Sequence, residues 1–130
     1  MFYSRNVVSN TLLYERPADS MDAFSQSLAE MRTAQRRFAA AGVQARVAML
    51  AAFADRLEAE KTKLARMICE EVGRCLRECE AEMDKSVSLI RYYVKLAPQL
   101  LQHQTIATQA SLSQVRFEPL GVVLAGMPWN

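Results

Sequence analysis

The sequence predicts a mainly α-helical chain with short β segments at both ends. Three observations carry that prediction. Apolar residues recur at three- and four-residue steps between Ser20 and Leu101, the spacing of one helix face. Gly42 and Gly73 interrupt the pattern where helices are expected to stop. After Gln104 the period changes, first to alternation and then to an unbroken apolar run. These shifts divide the chain into a β lead-in over 1–19, helices over 20–101, an extended segment over 105–118 and a strand over 119–130.

In the lead-in, Val7-Val8 and Thr11-Leu12-Leu13-Tyr14 flank Ser9-Asn10, a turn pair. Two short strands joined there make a hairpin. A lone hairpin is marginal in water, so it must lie against something.

The first helix is expected to begin near Ser20. Asp19 or Ser20 can accept from the free N–H groups of the first turn, and Asp22 sits where the helix dipole favours a negative charge. Phe24, Leu28, Met31 and Phe38 supply its apolar stripe. Gly42, tolerant of positive φ, ends it.

The second helix is expected to run from about Val43 to Glu71. Val47, Leu50, Ala54, Leu57, Leu64 and Ile68 step by three and four, with Lys61 intruding at a core-phase position. Charged residues fill the other face, so one side stays wet.

The third helix is expected from about Cys75 to Leu96 or slightly beyond. Leu76, Met83, Val87, Ile90, Val94, Ala97 and Leu101 give the cleanest stripe in the chain. Pro98 should kink or end it, because proline has no N–H and crowds the preceding turn. All three stripes read first as packing faces.

Beyond Gln104, Val115 and Phe117 alternate with polar neighbours, as in a half-buried strand. Pro119 breaks that pattern. Leu120-Gly121-Val122-Val123-Leu124-Ala125 then reads as a strand buried on both faces, as in a parallel sheet covered by helices. A parallel neighbour requires a crossover of a dozen or more residues. The sequence therefore reads as cut where a second architecture begins.

Composition excludes several classes. At 130 residues the chain holds one domain, and 51% apolar with 23% charged residues is not a disordered tail. Sixteen basic and fourteen acidic residues leave a net charge of +2, too even for a nucleic-acid or anionic-membrane partner. The longest apolar run, Leu120 to Trp129, contains two glycines and a proline and is about half the length of a bilayer span. No signal peptide is visible at Met1 to Asn6, and three cysteines do not make a disulfide framework. A reduced, cytoplasmic compartment is the expectation.

Pro119-Leu120-Gly121-Val122-Val123 followed by Met127-Pro128-Trp129-Asn130 resembles the segment where aldehyde dehydrogenases enter their nucleotide-binding domain. Glu71-Val72-Gly73-Arg74 is similar to that family's E-x-G-K, with Arg for Lys. Glu78, Glu82 and Tyr92-Tyr93 match its following acidic and aromatic positions, and Arg46 with Leu50 its second helix. Ala34 and Phe38 match the A-x-x-x-F before it, and Asn6 to Thr11 echoes its lead-in. The tone is nearest to succinate-semialdehyde dehydrogenases. The usual tryptophan after the first helix is absent, Gly126 replaces a bulkier residue, and Gln104 to Ser113 matches nothing well.

The resemblance implies the three-helix N-terminal part of the family's α/β fold, cut at the first strand of its nucleotide-binding domain. It implies NAD- or NADP-dependent oxidation of an aldehyde to an acid. In the family a cysteine thiolate attacks the carbonyl, hydride passes to the nicotinamide, and a glutamate activates water. The asparagine of P-W-N donates to the developing oxyanion, a role that falls on Asn130. Met127, Pro128, Trp129 and Asn130 would line the nicotinamide half of the cofactor site.

The family's nucleophile, base, cofactor-binding lysine and glycine-containing turn have no counterpart in these residues. The chain alone is therefore not expected to catalyse the reaction or to hold the cofactor tightly, and an aldehyde substrate belongs only to a complete enzyme. Oligomerisation is implied by analogy. Uncovered apolar faces favour self-association or packing on missing domains. The competing reading is a non-enzymatic helical module, derived from a dehydrogenase, that binds a partner through the third helix's stripe.

The remaining features read structurally. Cys75 and Cys79, four apart, can share a helix face, with Cys69 before Gly73. A metal site needs a further ligand, and His103 is far along the chain, so no metal is expected. His103 reads as solvated. Of the adjacent Tyr92 and Tyr93, one should be core and one rim.

Overall fold

The computed structural model describes residues 1–127. Two strands open the chain, β1 (Phe2–Arg5) and β2 (Leu12–Arg16). Four helices follow: α1 (Met21–Ala40), α2 (Gly42–Ala59), α3 (Lys61–Val72) and α4 (Leu76–Leu100). A two-residue pair, β3 (Gln104–Thr105) and β4 (Gln114–Val115), comes next. The mainly helical class with short strands is what the sequence predicts, as four helices rather than three.

The β1–β2 hairpin is antiparallel, pairing Phe2 with Arg16 and Ser4 with Tyr14. Its turn differs from the expectation, because Val7 and Val8 lie in the turn and not in a strand. Asn6 organises it: its Oδ1 accepts from Val8 N at 2.9 Å and Ser9 N at 3.0 Å. Such a side chain mimics a backbone turn. Asn10 completes the loop at φ 57°, a left-handed value that asparagine tolerates. The hairpin lies against the end of α3. Val7 N donates to Glu70 O at 3.2 Å, and Ser4 Oγ donates to the Glu71 carboxylate at 3.2 Å.

Ser20 caps α1, its Oγ accepting from Ala23 N at 3.1 Å, which satisfies one free donor of the first turn. Gly42 then adopts φ 78°, and the chain bends through 113° into α2. Gly73 closes α3 the same way, at φ 78° with its N–H on Cys69 O.

The expected second helix is broken at Glu60, with φ −98° and ψ 7°. The break falls just before Lys61. A continuous helix would carry that ammonium onto the buried face, where an unpaired charge is costly. After the break, Lys61 reaches Asp84 on α4. Pro98 does not end α4, which continues to Leu100. The proline falls in the last turn, so it forfeits one hydrogen bond only, and Leu101 N still donates to Ala97 O at 3.0 Å.

The core is small and lies where α2 and α3 meet α4. It comprises Val47 and Ala54 of α2, Ala65 of α3, and Cys79, Met83 and Val87 of α4. The last three are one face of a helix at four-residue spacing. α1 contributes no buried residue, and Phe24, Met31 and Phe38 remain exposed.

After α4, Gln104 pairs with Val115 and Thr105 with Gln114. The expected half-buried strand stops at Val115, and both Val115 and Phe117 stay exposed. Residues 119–127 join no strand among the described residues, and Leu120 and Leu124 are 96% and 91% exposed. Among the described residues no strand lies beside this run to take its backbone hydrogen bonds. No single described helix is long and apolar enough to cross a membrane.

Candidate functional site

Of the four expected site residues, Met127 is described, and it is 81% exposed at the end of the unpaired apolar run. Pro128, Trp129 and Asn130 lie outside the described residues. Met127 has no enclosing wall, so the described residues do not themselves make a nicotinamide site.

The Glu71-to-Glu82 stretch is a structural joint. Glu71 accepts from Ser4 of the hairpin. Gly73 makes the left-handed turn, and a Cβ there would lie 2.6 Å from the Val7 side chain, so only glycine fits. Arg74 then reaches into the first turns of α4, pairing with Glu78 at 3.6 Å and with Glu82. The motif positions matched in sequence thus fasten hairpin, α3 and α4 together. Periodicity gave no sign that one arginine gathers both glutamates.

A second locus is an open groove of about 770 Å³ at the α1–α2 corner, roofed by the chain after α4. Phe38 and Phe117 give it apolar walls, and Arg46, His103, Arg116 and Glu118 its polar ones. Arg116 Nε lies 3.6 Å from Glu118 Oε1. The lining holds no serine, threonine or cysteine, so exposed His103 has no nucleophile to activate there. Sequence reading missed this groove because its residues come from three separated stretches.

The cysteines gather at the α3–α4 turn. Cys79 is buried, Cys69 half-buried and Cys75 exposed. Burial, and then neighbouring Cys69, push the Cys79 thiol above its ordinary range. A buried neutral thiol reacts more slowly than a thiolate, so Cys79 is not fitted to the role of the family's activated nucleophile. Among the described residues, no three His, Cys, Asp or Glu side chains converge to hold a metal ion. Tyr92 and Tyr93 correct an expectation. Both are exposed, stacked edge to face at 5.3 Å, because no described element packs over that end of α4.

The described residues thus form a hairpin and four helices fastened at the Gly73–Arg74 joint. A sequence model described as the aldehyde dehydrogenase family matches residues 2–130. The chain belongs to that family.

Among curated relatives it is 43% identical over 82 residues to a succinate-semialdehyde dehydrogenase [NADP(+)] of Mycobacterium avium, covering 61% of this chain and 17% of that protein. It is 36% identical over 77 residues to a probable succinate-semialdehyde dehydrogenase [NADP(+)] of Synechocystis, covering 59% and 17%. The chain therefore spans about one sixth of these relatives. Among solved structures, NADP-dependent glyceraldehyde-3-phosphate dehydrogenase of Bacillus halodurans, complexed with NADP, superposes with a TM-score of 0.90 at 27% identity, over 99% of this chain and 28% of that one. Succinic semialdehyde dehydrogenase of Streptococcus pyogenes, with NADP+, gives 0.77 at 17% identity, over 87% and 25%; that likeness shows the fold.

Proposed function

We propose that this chain is the N-terminal helical part of an NAD(P)-dependent aldehyde dehydrogenase, with succinate semialdehyde as its substrate and the corresponding acid as product. The family match over residues 2–130 carries this reading. The curated succinate-semialdehyde relatives support the substrate.

In that reading the chain's own contribution is positional. The Gly73–Arg74 joint fixes the hairpin and helices. Residues 119–127 become a strand once a neighbouring sheet supplies backbone partners. That strand delivers Met127, Pro128, Trp129 and Asn130 to line the nicotinamide half of the cofactor site, and the nicotinamide, when bound, would supply the hydride acceptor. Asn130 donates its amide N–H to the oxygen that gains negative charge as the aldehyde carbon becomes tetrahedral, stabilising charge that is absent from the ground state. The exposed faces of α1 and of 119–127 are covered by the rest of the subunit. In isolation they drive self-association.

The test replaces the matching N-terminal segment of the M. avium succinate-semialdehyde dehydrogenase with residues 1–130. Retained NADP reduction with succinate semialdehyde is the expected outcome. A well-folded chimera with no such activity overturns the reading. The chain alone, with NAD or NADP and a panel of aldehydes, should give no cofactor reduction, and steady turnover would overturn its supporting role. Size-exclusion chromatography should show self-associated species and not a clean monomer.

A further inference from the structure

α3 and α4 form an antiparallel pair whose register can be read from its contacts. Lys61 meets Asp84 at 2.6 Å. Ala65, Cys79 and Met83 form one buried cluster, with Ile68 and Cys69 packed on it. Residues 65 and 69 lie one helical turn apart on α3, as do 79 and 83 on α4. The chain reverses at Gly73, Arg74 and Cys75, and Cys69, one turn before the reversal, packs on the cluster that holds Cys79, one turn after it. Ala65 and Cys79 are both fully buried. Small side chains at a helix crossing let the backbones approach closely. Cys75 stands apart, exposed at the N-cap of α4.

We propose that Cys69 and Cys79 are an oxidisable pair, a reversible covalent latch across the α3–α4 turn, with Cys75 outside it. The oxidant is a hydroperoxide. Half-buried Cys69 meets it first, and its sulfur displaces water from hydrogen peroxide to become a sulfenic acid. The Cys79 sulfur then attacks the sulfenic sulfur. The S–O bond breaks, the S–S bond forms, and a second water carries away the oxygen and the thiol proton. Two thiols have lost two electrons to one peroxide. A dithiol reductant reverses the change.

The sequence makes the test unambiguous. Cleavage after Arg66, Arg74, Arg77 and Lys85 puts Cys69, Cys75 and Cys79 on three separate tryptic peptides. The folded chain is treated with stoichiometric peroxide, blocked with iodoacetamide, digested and mapped by mass spectrometry. A parallel sample is oxidised in urea. The expected result is a dominant 69–79 cross-link in the folded sample, reversed by dithiothreitol, kept in Cys75→Ser and lost in Cys69→Ser. The oxidised chain should also melt several degrees higher than the reduced one. A folded sample whose cross-links match the urea control, or pair Cys75 preferentially, or show only sulfinic acid, overturns the proposal. The wild-type comparison stands even if Cys69→Ser fails to fold.

Discussion

Lys61 Nζ sits 2.6 Å from Asp84 Oδ2, tying the first turn of α3 to the third turn of α4. The lysine side chain is 32% exposed and the aspartate 60%. An apolar stripe interrupted by lysine is thereby reconciled with a packed helix pair, since the ammonium leaves the core along its aliphatic stem. The pair is largely solvated, so its coupling should be small. A double-mutant cycle of Lys61→Met and Asp84→Asn in urea should give about 0.2–1 kcal/mol, weakening at high salt.

The two helix-ending glycines should respond differently to alanine. Both adopt φ 78°. At Gly42 an added Cβ meets nothing within 4 Å, so Gly42→Ala should cost only the left-handed backbone penalty, roughly 1–2 kcal/mol. At Gly73 the Cβ would strike Val7 Cγ2. Gly73→Ala should therefore lower the urea midpoint further, and adding Val7→Ala should recover part of the difference.

Met83 is the largest side chain in the buried cluster. Met83→Ala should destabilise the chain by about 2–5 kcal/mol, through lost transfer energy and the cavity left behind. Met83→Leu, which nearly conserves volume, should cost less than about 1.5 kcal/mol. Chemical denaturation followed by far-ultraviolet circular dichroism separates the two.

Glu60 should contribute a small part of the acid limb of stability. The hydrogen bond from Arg56, then its charge, hold the Glu60 carboxyl below its usual 4.5. A depressed carboxylate favours the folded state above its unfolded value, and the benefit disappears as pH falls through the folded value. Carbon-detected titration of Glu60 should give a value under 4.5. Arg56→Gln should return it toward normal and flatten the stability loss below that pH.

Within the proposed complete enzyme, Asn130→Ala should lower kcat about 100-fold or more with little change in KM, as expected when one oxyanion donor is removed. Steady-state kinetics of the chimera provide the check. An equal rise in KM with kcat unchanged would assign Asn130 to ground-state binding instead.

Much of the fold was legible because local chemistry and tertiary packing agree. Ser20 and Gly42 bound α1, and Gly73 ends α3, through capping preferences that need no distant partner. The break at Glu60 was hidden because apolar spacing continues across it, and only Asp84, far along the chain, explains it. Val7 and Val8 read as strand because valine favours one, yet Asn6 captures the local donors first. The joint at Arg74 and the α1–α2 groove depend on residues that only folding brings together. Of the expected cofactor-lining residues, Met127 alone is described, and it is exposed.

A helix that fully buries no side chain is held mainly by its own backbone. α1 is such an arm, 20 residues long and attached at the bend before Gly42. Its amides should exchange with deuterium well before those of α4, and limited trypsin should first clip among Arg32, Arg36 and Arg37. The α2–α4 hub would outlast it, so the chain should come apart in two stages, limb before trunk.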